Sequence, residues 1–335
     1  TQIPRYRSIN ANEHGCKFWW IEYGGRLDTV HDTEAIKWEL WKVVYGVWDH
    51  IKNSGEFPEA ENMTLEWVGT IPGKRESRRF EGDYMIRQQD VVEQTIHPDA
   101  VAVGGWSLDL HPSDAVYSER SPCNQWHSKG VYGIPYRCYY SRNISNLFLA
   151  GRIISASHVA FGSTRVILTC AHGGAAVGMA AAHCLKDGLS PRDLNNPAQM
   201  TALQCALNGV GQAIPAVPLH DESDLAQSAR ITSSSTLELV GLPSDGPWLD
   251  LEYPTAQLLP LTPADQPVIK LRVRAKQSAD LRVALRVSDK AANFTPEAVL
   301  CEQTYALDKG EQEIEFPVTK GVDQNRYGFL CLHAD

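Results

Sequence analysis

The stretch that most constrains this chain runs from Asn146 to Cys184, NLFLAGRIISASHVAFGSTRVILTCAHGGAAVGMAAAHC. Leu147-Phe148-Leu149-Ala150 is a short apolar run stopped by Gly151, which reads as a buried strand. A polar loop follows, carrying Arg152, Ser155, Ser157, His158, Ser163 and Arg165. From Val166 the apolar pattern returns and leads into Gly173-Gly174-Ala175-Ala176-Val177-Gly178. Few of these side chains exceed a methyl group, so another backbone or a flat ligand can approach closely. The pattern predicts a helix opening near Gly173, whose unpaired amides and partial positive charge would face an anion. Close packing in an α/β core accounts for the small-residue run by itself. Two arginines and a histidine on the preceding loop point instead to an anion-bearing ligand.

Upstream, Cys16–Tyr23 is aromatic-rich and strand-like, and ends at Gly24-Gly25. Ile36, Leu40, Val43, Val44, Val47, Trp48 and Ile51 recur at helical spacing behind a cap at Asp32 or Thr33. Thr64–Thr70 reads as a strand. Lys74, Arg75, Arg78 and Arg79 then fall close together; they suit a solvated loop, or a phosphate or carboxylate site for which Arg offers a bidentate fork. Tyr84–Ile96 predicts a strand end and a short helix capped near Asp90. Val101–Trp106 predicts a buried strand leading to Asp109 and His111, and Pro112 keeps His111 extended. That Asp-x-His suits either a surface turn or a carboxylate-oriented imidazole for acid–base work. Val131–Tyr140 is an aromatic loop or edge strand.

Downstream, residues 194–215 carry a further helix, and Pro215, Pro218 and the polar run Asp221-Glu222-Ser223-Asp224 mark a linker over 216–229. From residue 230 short strand-like segments alternate with turns: 236–240, 268–275, 281–287, 312–318 and 327–332. The fold class expected is therefore α/β plus all-β, ending in an antiparallel β-sandwich over 230–335. A net charge of −9 without a basic stripe argues against nucleic acid as a partner. No membrane span is expected. The eight cysteines form no CxxC pair and there is no HExxH, so no metal site is expected and a metal hydrolase is a weak reading. A Cys123–Cys138 or Cys301–Cys331 disulfide is open, though spacing alone does not support either.

Several motifs occur together in order: IPYR at 134–137, NLFLAGRIISASH at 146–158, GSTRV at 162–166 and GGAAVGMAAA at 173–182. Phe18-Trp19-Trp20, KRESRR at 74–79 with Gly82-Asp83-Tyr84, and Gly105-Trp106 with Asp109–Pro112 accompany them. The set resembles the C-terminal part of FAD-dependent oxidoreductases, in particular a group widespread in polysaccharide-degrading bacteria within the glutathione-reductase-like flavoproteins. The resemblance implies FAD as cofactor and hydride transfer between flavin and a small, sugar-like substrate. It implies a substrate-binding region over 1–145 and a C-terminal segment of the FAD-binding domain over 146–215. Gly151, Arg152, Ser155, Gly173, Gly174 and Ala175 would approach the cofactor. His158 and His111 would be candidate bases, with Arg165 and Arg78 beside the reacting groups, and Arg75, Tyr136 and Arg137 would meet the substrate.

The G-x-G-x-x-G turn that holds the ADP half of FAD is missing from this sequence; Gly209-Val210-Gly211 lacks the third glycine. The resemblance therefore implies an N-terminal half or partner chain supplying that fold. The competing function is a non-catalytic carbohydrate- or protein-binding module carried by the sandwich, with Trp248 and Tyr253 as its aromatics.

Overall fold

The computed structural model describes residues 7–11, 18–218, 222–236, 241–243, 245–263, 266–288, 290 and 295–334. Cys16 and Lys17, and the expected strand at 237–240, lie outside them. The chain divides into two compact units, Thr1–Asp221 and Glu222–Asp335.

In the first unit, α1 (Thr33–Asn53) follows the predicted periodicity and buries Ile36, Val47 and Ile51. Asp32 stands at its N-cap without capping it; its carboxylate accepts the Asp28 N–H instead. Trp20 is buried with Val47 and Ile51 in a satellite cluster. The aromatic segment before it was expected as a strand, but the described part turns tightly, the Ile21 N–H donating to Phe18 O and the Glu22 N–H to Trp20 O. Thr64–Thr70 has no ladder partner among the described residues and is irregular.

The main core gathers α2 (Gln88–Val92), β1 (Ala100–Gly104), β2 (Leu108–Leu110) and β4 (Tyr132–Pro135) with three later helices, while β3 (Asn124–Trp126) is exposed at the edge of β2. The β1 and β4 strands pair antiparallel, as do β2 and β3. At α2 the Asp90 carboxylate accepts the Arg87 N–H at the helix start, close to the cap the sequence suggested. The helices are α3 (His158–Thr164), α4 (Ile167–Asp187) and α5 (Pro197–Gly209).

Two expectations for the organising stretch are corrected. Leu147–Ala150 forms no regular strand among the described residues, only a single bridge from Phe148 to Tyr140. The long helix opens at Ile167 after an extended Val166, so Gly173 and Gly174 are interior to it. Nothing between 167 and 172 breaks a helix, and the glycines answer a packing demand. A Cβ at Gly173 would stand 2.5 Å from Tyr139 Oη, and the Tyr139 ring is buried. Gly173→Ala is expected to destabilise the first unit by about 1–3 kcal/mol through overpacking, against no loss at the open Gly174, as measured by urea unfolding. By length and composition alone α4 would cross a bilayer. One of its faces, Thr169, Gly173, Ala176, Ala180 and Cys184, is buried in the unit's core.

The second unit holds β5 (Thr255–Leu261), β6 (Val268–Ala275), β7 (Ala279–Val287), β8 (Ala298–Leu307), β9 (Gly310–Pro317) and β10 (Arg326–Ala334). They form a four-stranded antiparallel sheet, β5-β10-β7-β8, and a two-stranded one, β6-β9. Ile314 and Phe316 of β9 join Val283 and Leu285 of β7 in one apolar core, which is the sandwich the alternation predicted. Cys301 and Cys331 lie on strands separated by β7, and they are free, as are Cys123 and Cys138. Trp248 is covered by the guanidinium groups of Arg272 and Arg274, at 5.1 and 4.3 Å from its ring.

Candidate active site

A cavity of about 450 Å³ opens in the first unit, a volume suited to a small-molecule ligand. Its wall is a network of charges. Asp109 arrives on β2, whose pairing with β3 fixes its direction. Arg165 directly follows α3 and donates to Asp109 Oδ2 at 2.8 Å. Gly162 lets α3 come this close, since a Cβ there would meet the Asp109 carbonyl oxygen at 2.8 Å. That contact is the physical reason for a glycine in the GSTR motif.

His111 sits between two carboxylates. Its Nδ1 is 2.7 Å from Glu22 Oε2 and its Nε2 is 3.3 Å from Asp109 Oδ2. Arg75 Nη1 donates to Glu22 Oε1 at 2.6 Å and lies 2.8 Å from His111 Nδ1. Burial pushes the Glu22 carboxyl up, but the hydrogen bonds and charges of His111 and Arg75 outweigh it and hold the group below the usual range. Asp109 Oδ1 is sealed from water and has no hydrogen-bond partner among the described residues.

A second pair lines the same cavity. The Ser157 side chain caps α3 by accepting the Ala160 N–H. That cap fixes His158 at the first helical position, where its Nδ1 is 2.9 and 3.0 Å from the two oxygens of Glu76. Arg79 also pairs with Glu76.

The structure thus brings His111, His158, Arg75 and Arg165 to one cavity. Arg78 is exposed and is not among its lining residues. Tyr136 and Arg137, expected to meet the substrate, are also not among the lining residues of this cavity. The Tyr136 hydroxyl is buried and donates to Pro191 O at 2.6 Å. Arg137 is held by Asp99 through Nε and Nη2 at 2.9 and 3.0 Å. Both residues brace the turn after β4. Glu22 and Glu76 are not among the expected site residues: Glu76 lies inside the KRESRR motif, where it reads as charge balance among basic neighbours, and Glu22 carries no signal until the fold brings it to His111.

The expected cofactor residues divide similarly. Ser155 is fully buried and its Oγ has no hydrogen-bond partner among the described residues. The amides of Gly173, Gly174 and Ala175 belong to the helix interior, so they offer no helix-start donors. Gly151 has φ +66°, and nothing lies within 4 Å of where a Cβ would stand, which leaves its backbone open to close approach. Arg152 follows it and acts electrostatically on Cys170 in the first turn of α4. The start of α4 has no side-chain cap, and Ile167 and Leu168 are exposed there. An open left-handed glycine, an arginine and an uncapped helix start fit an anionic, flat cofactor such as FAD.

No curated protein and no solved structure matches the chain. A sequence-family model described as FAD dependent oxidoreductase matches residues 2–207, well over half of the chain and nearly all of the first unit. By that match the chain belongs to the FAD dependent oxidoreductase family.

Proposed function

We propose that the cavity binds the substrate, that Gly151, Arg152 and the start of α4 hold the flavin beside it, and that the substrate is a small, sugar-like molecule. Bound FAD supplies the two-electron acceptor for a hydride. The observation that carries this reading is the continuity of residues 158–167: His158 and Arg165 line the cavity, and the chain passes at once into the uncapped start of α4. Arg165 and Arg75 orient the substrate and keep charge near the reacting carbon. His158 or His111 takes the proton of the substrate hydroxyl or amine. The outward face of α4, including Ile167, Leu168, Ala171, Ala175 and Leu185, is apolar and exposed. It supports an ADP-binding fold contributed by an N-terminal half or a partner chain.

Titration with FAD, read as a shift of the flavin absorbance band, tests the reading. Binding is expected to weaken about tenfold or more in Gly151→Val, whose side chain would occupy the open approach and strain a left-handed backbone. FAD affinity unchanged by Gly151→Val would remove this surface from the cofactor site.

A further inference from the structure

We infer that Glu76 is a positioning residue that fixes His158 as the Nδ1–H tautomer, leaving Nε2 as the proton acceptor in the cavity. His158 presents only Nδ1 to Glu76, at 2.9 and 3.0 Å from its two oxygens. A carboxylate accepts hydrogen bonds and donates none, so Nδ1 carries the hydrogen. Nε2 has no hydrogen bond to any described residue, and the side chain is 61% exposed at the cavity wall. The ring is therefore oriented by one nitrogen and open at the other, the arrangement a general base needs.

His111 is built differently. Both of its ring nitrogens face carboxylates, and Arg75 crowds Nδ1. Neither nitrogen is free for a substrate proton, so His111 joins the charges of the wall and His158 is the base. Glu76 is itself anchored twice: Arg79 pairs with its carboxylate, and the Thr29 hydroxyl donates to its backbone carbonyl at 3.3 Å. The second bond survives truncation of the side chain, so the segment keeps its place when the carboxylate is removed.

The proton-acceptor role rests on the cavity being the substrate site; the tautomer does not, and the two are read separately. Long-range ¹H–¹⁵N spectra of the full chain near neutral pH, with the His158 signals assigned by their loss in His158→Gln, report the tautomer directly. The native ring is expected as Nδ1–H, the reverse of free histidine. Glu76→Ala should return it to Nε2–H, and Glu76→Gln, which retains an acceptor oxygen, should keep Nδ1–H. An Nε2–H ring in the native protein, or no change in Glu76→Ala, overturns the inference. In the flavin-loaded enzyme Glu76→Ala should lower kcat about a hundredfold with KM little changed. The expected spectra with unchanged turnover would leave the positioning intact and overturn the placement of the substrate.

Discussion

Asp99→Ala should lower the unfolding free energy of the first unit by about 3 kcal/mol, at the low end of the 3–5 kcal/mol range for a broken buried ion pair. The Asp99 side chain is only 7% exposed and accepts from Arg137 Nε, Nη2 and backbone N–H. Its removal strands a guanidinium over the Tyr84 ring, at 5.0 Å from the centroid. Water reaches 30% of the Arg137 side chain and solvates part of the orphaned charge, which sets the low end. Urea unfolding followed by tryptophan emission measures the change. The outcome also decides the meaning of the IPYR motif. A substrate role for Arg137 would show as lost turnover at unchanged stability. The bracing role seen here requires a lower midpoint, with FAD affinity unaffected.

How much of this was legible in the sequence depends on the range of the interaction. In α1, Ile36, Val47 and Ile51 repeat at helical spacing and are buried as the spacing implies. Ile269, Leu271 and Val273 turn inward on β6 while Lys270, Arg272 and Arg274 face out, as alternation requires. Errors fell where a distant partner decides the local outcome. Gly173 looked like a helix start because glycine breaks patterns; Tyr139, far away in sequence, needs its missing Cβ. Leu147–Ala150 has strand composition, yet a strand needs ladder partners, and the described residues give it one bridge. The site shows the same limit. Asp109-x-His111 was visible as a spacing, but Glu22, which engages the other nitrogen of His111, lies 89 positions away. No local rule connects them.

Arg165→Ala is expected to give the largest functional effect, a fall in turnover of the flavin-loaded enzyme of about a hundredfold, comparable to losing one charge-stabilising donor from an active site. Arg165 lies in the chain between the two halves of the proposed site. It donates to Asp109 at 2.8 Å on the cavity side, and it precedes Val166, the residue from which α4 starts. Stability should change little by comparison. Asp109 Oδ2 keeps His111 Nε2 at 3.3 Å and Arg75 at 3.6 Å, so its charge is not left alone. The same network gives the control. Arg78→Ala removes an equal charge from the KRESRR motif that also carries Arg75, but Arg78 is exposed and off the cavity, so its turnover should stay near native. Steady-state kinetics beside thermal melting separates the cases. Equal losses in both variants would mean that bulk positive charge, rather than the Arg165–Asp109 contact, governs the site. A large drop in melting temperature for Arg165→Ala would assign the residue to holding α3 against β2.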